Sequence, residues 1–303
     1  MPPAGQGKER GAEMRSQADR VAPGALPGEA YFALSRSILY EALAIGFRPP
    51  TQQSLMRLAA AGSCAALADA AAECGGAALV DRVTDLAAAA GEDPAELAVR
   101  HRRLFGHTAR GKVTPYETEY GDKDMFQQPH ELADLAGFLR AFGLEIRADE
   151  HERVDHVSCE CEFLSFLARK EAYALEVGDV AMREETVKAG RLFLRDHLAR
   201  FAPTFARALE REDREAFYGV LGALLLALAA GECSRLGVSL GTSGLALRIE
   251  TDHKVPMACG EGGDCSRAET CNQGVGQALQ GDSPGPRPVS LRISAKPPDL
   301  RAG

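Results

Sequence analysis

The stretch ERVDHVSCECEFLSFLA, residues 152–168, brings a histidine, two cysteines and four acidic groups into a few turns of chain. Three chemistries fit those residue types: a metal site, an acid–base pair, or a surface that grips a partner. Helical geometry excludes one pairing. Cys159 and Cys161 are two residues apart, so they project about 200° apart around a helix and cannot chelate one ion together. Cys161 shares a stripe with Val154, Val157, Leu164 and Ala168 and reads as a small buried hydrophobe. Cys159 falls on the other side with Asp155, Glu162 and Phe166. His156 and Glu160 are four residues apart and within reach of each other. They flank the apolar stripe, where partial desolvation raises a carboxyl pKa and favours a hydrogen bond to the histidine. General acid–base work also needs a nucleophile or a metal, and this stretch supplies neither. A histidine that merely fixes the helix is the alternative.

A second stretch, LFGHTARGKVTPYETEYGDKDMF, residues 104–126, lies between two predicted helices. It is long for a helix connection, and long ordered connections tend to be functional. Between Pro115 and Gly121 stand Tyr116, Glu117, Glu119 and Tyr120. Two aromatic–acid pairs of this kind suit stacking on, and pairing with, an arginine. The alternative is a solvated connector.

The elements that carry these residues are predicted to be helical. The 303-residue chain is rich in Ala and Leu, has no Trp, and shows few β-branched runs. From Glu29 the apolar residues Phe32, Leu34, Ile38, Leu39 and Leu43 recur at helical spacing, and the pattern stops at FRPP. A helix capped by Thr51 follows. Further helices are expected near 77–90, 93–105 and 128–142, the last stopped by Gly143. A long helix is expected at about 152–177, then helices at about 179–201 and 213–236, with FAPTFARALERED as a short linking helix. No segment before 240 alternates convincingly at period two. The fold class is all-α: one helical domain of eight or nine helices over 29–240. Residues 1–28, rich in Pro, Gly and charge, are expected to be a disordered tail, and 241–303 a mostly irregular tail with at most a short strand around LALRIET.

The net charge is −8. Residues 1–28 carry +1 and 241–303 are neutral, which leaves about −9 on the body. An acidic body argues against nucleic acid and towards a cationic partner, with plain solubility as the alternative. The N-terminus lacks an apolar signal-peptide core, and the most apolar run, 216–231, suits a buried helix better than a membrane span. Those features predict a cytoplasmic protein whose eight cysteines are mostly thiols. His253, Cys259, Cys265 and Cys271 are spaced six apart. Four such ligands could hold zinc or an iron–sulfur cluster, although the spacing matches no standard finger. They define a rival reading, a metal- or cluster-binding redox or sensor protein. A helical hydrolase using His156 and Glu160 is a weaker third. GVGQALQG is no nucleotide loop, because no strand precedes it. Arg102–Arg103 is internal and cannot be an export signal.

Taken together, three stretches resemble the TorD/DmsD/NarJ family of redox-enzyme maturation chaperones, the branch serving dimethyl-sulfoxide-reductase-type molybdoenzymes. They are Glu152-Arg153-Val154-Asp155-His156 with Glu160, the loop GHTARGKVTPYETEYG, and RSILYEALAIGFRPPTQQSL. Val154 departs from the family's usual proline. The resemblance implies an all-helical fold, no catalysis and no cofactor of its own. It also implies binding of the immature catalytic subunit of a molybdenum oxidoreductase, at its twin-arginine signal peptide or its body, for cofactor insertion before export; a homodimer is compatible with it. The expected partner site is a groove lined by Glu117, Glu119, Asp155 and Glu160, with His156 at its centre and Tyr116 and Tyr120 for stacking. On that reading, replacing Asp155 and His156 by alanine leaves the helical circular dichroism intact and weakens partner capture.

Overall fold

A computed structural model describes residues 28–106, 111–121, 128–147 and 152–248, and the backbone of 293–295. Ten α-helices run in chain order: α1 Gly28–Gly46, α2 Gln52–Ala59, α3 Ala61–Gly75, α4 Ala77–Ala89, α5 Pro94–Phe105, α6 Gln128–Ala141, α7 Val157–Val177, α8 Val180–Asp196, α9 Leu198–Asp213 and α10 Phe217–Leu236. A single 3-10 turn, Glu117–Glu119, lies between α5 and α6. The all-α reading holds.

The caps account for the helix starts. Thr51 and Ser54 form a reciprocal capping box on α2. Asp93 accepts from the Ala95 amide, and Pro94 occupies the first helical position, where its missing N–H costs nothing. Replacing Thr51 by alanine is expected to lower the unfolding free energy by about 1 kcal/mol. A urea titration checks this, and an unchanged midpoint would show the cap to be idle. After α6, Gly143 turns the chain at φ 69°, the left-handed conformation that favours glycine.

α1 lies along α7, and α9 along α10; α3 and α4 pack beside α1 and α10. Their contacts are apolar: Leu39 and Leu43 of α1 with Phe47 just after it, Cys161, Phe163 and Leu164 of α7, Phe201 and Phe205 of α9, and Leu221, Leu224 and Leu225 of α10 are all buried. α10 is long and apolar enough to cross a membrane by length and composition, but most of its most apolar window is buried inside the described body. One charged cluster is buried with the core: Arg36 of α1 bonds Glu171 of α7 at 2.9 Å and meets Glu232 of α10 at 3.1 Å. Desolvated charges pair because an unpaired one would be far costlier.

Several boundaries differ from the sequence reading. The helix expected over 152–177 begins only at Val157, because His156 is its N-cap and 152–156 turn away. The helix after Thr51 breaks at Ala60, whose ψ of 141° is extended. The break expected near 201 falls at His197, so the short linker is really the sixteen-residue α9. Two three-residue strands also occur: β1, Leu144–Ile146, pairs antiparallel with β2, Ile293–Ala295. Three residues are too few to show a period in sequence. Of the LALRIET segment, where a strand was expected, residues 249–251 lie outside the described residues, and Leu247 forms an isolated bridge with Tyr120.

Pro203, inside α9, explains how the chain leaves the body. A proline cannot bond the carbonyl four residues back. That carbonyl, on Ala199, instead accepts from the Gly241 amide at 2.9 Å. A side chain on Gly241 would collide with the Arg200 carbonyl, so only glycine fits there. Thr204 continues the seam, donating to the Thr242 carbonyl and accepting from the Leu245 amide. Arg248 then pairs with Glu131 of α6 at 2.8 Å.

Candidate functional site

The loop after α5 folds back onto the start of α7. The Val113 amide bonds the Leu104 carbonyl at 2.8 Å, anchoring the loop to the end of α5. The Glu117 amide then bonds the Asp155 carbonyl, and the Val157 amide bonds the Pro115 carbonyl, each at 2.9 Å. These bonds register residues 115–117 against 155–157 and bring the two sequence stretches together.

Asp155 is the hub. Its carboxylate is fully buried. Oδ2 accepts from Thr118 Oγ1 at 2.7 Å, the Thr118 amide at 3.3 Å and Arg153 Nη2 at 2.7 Å; Oδ1 accepts from Arg153 Nε at 3.0 Å. The Arg153 guanidinium lies 4.4 Å from the Tyr116 ring centroid, donates to Thr118 Oγ1 at 2.8 Å, and reaches Glu119 at 3.5 Å. Tyr116 donates its hydroxyl to Glu152 Oε1 at 2.9 Å. Burial, and next the Glu152 carboxylate, push the Tyr116 hydroxyl pKa up. The fork on Asp155 and the stack on Tyr116 are the two contacts for which a guanidinium is best shaped.

His156 has a different task. Its Nδ1 accepts from the Ser158 amide at 3.1 Å, capping α7, and its ring meets Tyr116 edge to face at 5.4 Å. Ser158 Oγ is 2.7 Å from Nδ1, and Glu152 is 4.0 Å from Nε2. This serine–histidine–carboxylate line outwardly resembles a hydrolytic triad. Ser158 and His156 are both buried, and Nδ1 is committed to the cap.

Beneath the hub, Glu117 is buried against His197 Nδ1 at 3.0 Å and Arg200 Nη1 at 3.5 Å. Burial raises the Glu117 pKa, against the lowering effect of the His197 hydrogen bond. His197 Nε2 is 3.3 Å from Asp134 Oδ2, close enough for an ion-pair contact but not aligned as a hydrogen bond. Glu160, wholly enclosed, has no hydrogen-bond partner on either oxygen among the described residues. Burial above all, then the Glu117 and Asp155 carboxylates, hold its pKa well above the usual range, while Arg200 opposes them.

Of the seven residues singled out in sequence, six gather here: Tyr116, Glu117, Glu119, Asp155, His156 and Glu160. Tyr120 stands apart, with its ring 5.5 Å from Phe201 and its hydroxyl donated to the Thr114 carbonyl. Two expectations are corrected. His156 and Glu160 do not bond, because the cap turns the imidazole to Ser158. The site is also no open groove: Glu117, Asp155, His156 and Glu160 are buried, and Glu119, Tyr116, Glu152 and Arg153 form the accessible rim. Arg153, Thr118, His197 and Arg200 were not singled out. Only Arg153 left a signal, as the basic residue two before Asp155.

Cys161 is a core residue, as expected, and Cys159 is buried too. The five described cysteines are free thiols. No group of three or more ligands suited to a metal occurs among the described residues. His253, Cys259, Cys265 and Cys271 lie outside them.

Beside the rim, a cleft of about 400 Å³ is lined by Thr114, Tyr120, Arg207, Arg211, Ser243 and Leu245, among others. Arg207 and Ser243 also line a second cleft of about 810 Å³, with Val220, Ala223 and Leu226 of α10.

A family model described as the nitrate reductase delta subunit matches residues 59–207, which include the whole hub. The selenate reductase assembly chaperone protein of Thauera selenatis is 37% identical over 106 residues, 35% of this chain and 53% of its own length. Chaperone protein TorD of Vibrio cholerae serotype O1 is 27% identical over 134 residues, 44% of this chain and 58% of its own. Over these segments the chain is similar to the TorD/DmsD/NarJ family. It spans about half the length of the relatives it matches. Both relatives are named as chaperones. A solved structure of a redox enzyme maturation protein from Archaeoglobus fulgidus has a TM-score of 0.38 to this chain at 18% identity, covering 63% of this chain and 91% of that one.

Proposed function

We propose that this chain is an assembly chaperone that binds the immature catalytic subunit of a molybdoenzyme in the cytoplasm and holds it for cofactor insertion before export. Similarity to the TorD/DmsD/NarJ family supports this reading, because the matched segment contains the hub. The chemistry of the rim agrees with it. Glu119 and Glu152 flank Tyr116, so the accessible face offers carboxylates and an aromatic ring to a cationic segment such as a twin-arginine signal peptide. The helical body over 29–240 is the binding unit. His156, Glu117 and Glu160 shape that face from behind, and Tyr116, Glu119 and Asp155 meet the partner.

Affinity capture from the native host tests the proposal. Wild-type chain is expected to recover a molybdoenzyme catalytic subunit. The double variant Tyr116→Ala, Glu119→Lys is expected to recover at least tenfold less, because it removes the stack and reverses a rim charge. Its circular dichroism should stay unchanged, since Glu119 is on the rim and Tyr116 half-buried. Equal recovery by both proteins would place the contact elsewhere.

A further inference from the structure

We infer that Tyr116, Thr118, Glu119 and Asp155 form a guanidinium-binding cage that the chain fills with its own Arg153, and that an arginine of the partner enters by displacing it. The inference rests on the chaperone reading for the partner's identity, but the cage itself is independent of that reading.

Four observations carry it. The cage makes every contact a guanidinium can use: a forked carboxylate at 2.7 and 3.0 Å, a hydroxyl at 2.8 Å, a second carboxylate at 3.5 Å and an aromatic face at 4.4 Å. Its occupant is loosely held by the rest of the chain. Arg153 lies in the short turn ahead of α7, and its side chain is 40% exposed, while the Asp155 side chain beneath it is fully enclosed. A rotation of Arg153 towards solvent would open the cage without moving α7. Several carboxyl side chains also converge on the hub. Glu117, Glu119 and Asp155 gather around Arg153 and Arg200, with Glu152 at the rim beside Tyr116. The accessible side of this cluster thus presents acceptor oxygens to a guanidinium. Finally, a lysine would not substitute for the occupant, because a single ammonium cannot make the fork and the stack together.

In the free protein Arg153 is a resident competitor. It keeps Asp155 paired, and it lowers the apparent affinity for any arginine-bearing segment by the fraction of time the cage is closed.

Chemical complementation tests this on the full chain. Arg153→Ala empties the cage and should melt lower than wild type. Nα-acetyl-arginine amide should then raise its melting temperature by about 3–5 °C at a concentration roughly tenfold above its Kd. The same compound should leave wild type unshifted, and Nα-acetyl-lysine amide should shift neither protein. If Arg153→Ala does not fold, Arg153→Gln, which keeps a hydrogen-bonding side chain, takes its place. Equal shifts in variant and wild type, equal shifts by the arginine and lysine compounds, or no shift in the folded variant would overturn the cage. Failure of host capture with a working complementation would instead remove the chaperone reading and leave the cage.

Discussion

Replacing Asp155 by alanine is expected to cost about 3 kcal/mol of folding stability. The carboxylate is fully buried and accepts four hydrogen bonds, two from Arg153 and two from Thr118. Removal of one partner of a buried pair costs about 3–5 kcal/mol, because the other charge is left stranded. Here Arg153 is half in water and can turn outward, which places the cost at the lower end of that range. The Thr118 amide and hydroxyl, both enclosed, cannot escape in the same way. Asp155→Asn keeps the shape and part of the bonding, so its loss should be about half as large. Urea unfolding of the three proteins measures this; a loss below about 1 kcal/mol for the alanine variant would show that the hub is not structural. The double replacement of Asp155 and His156 is consequently no clean binding probe. His156 caps α7 through the Ser158 amide, and losing that cap adds about 1 kcal/mol. The sequence-based expectation of unchanged circular dichroism gives way to a folding defect.

Glu160 has the opposite sign. Its carboxyl is enclosed, unpartnered, and held well above its ordinary value of 4.5 by burial and by the neighbouring Glu117 and Asp155. The folded state therefore keeps a proton that the unfolded chain releases near 4.5. Stability falls as pH rises from there towards the folded value, by up to about 1.4 kcal/mol per pH unit. Glu160→Gln cannot ionise, so it should flatten this decline and exceed wild type by more than about 1 kcal/mol at pH 7. Glu117, also raised by burial, remains and preserves part of the slope. Urea midpoints of both proteins between pH 5 and 8 decide the matter. Parallel curves would mean that Glu160 is solvated or paired in solution.

The helical class, the cap at Thr51 and the stop at Gly143 were legible because each is a local signal: a period, a polar side chain before it, a glycine after it. The gathering of the two stretches into one site was legible only as a resemblance, since no local rule pairs residues 115–117 with 155–157. Partial burial of Glu160 was legible from the apolar stripe beside it, but burial of Asp155 and Glu117 was not. Both read as groove-lining charges, and His197 and Arg200, which pair with Glu117, come from distant parts of the chain. The break at His197 was hidden for the same reason. A histidine within a helical pattern shows nothing of the Glu117 carboxylate that its ring meets across eighty residues. Pro203 sits inside α9 because the Gly241 amide, from beyond α10, takes up the carbonyl it leaves free.

The most direct measurement is binding of the purified chain to one client catalytic subunit in two forms, cofactor-free and cofactor-loaded, by titration calorimetry. The expected result is micromolar or tighter binding to the cofactor-free form and at least tenfold weaker binding to the loaded one, with the difference abolished by Tyr116→Ala, Glu119→Lys. Equal affinity for both forms would contradict the proposed role as a holder of the immature subunit.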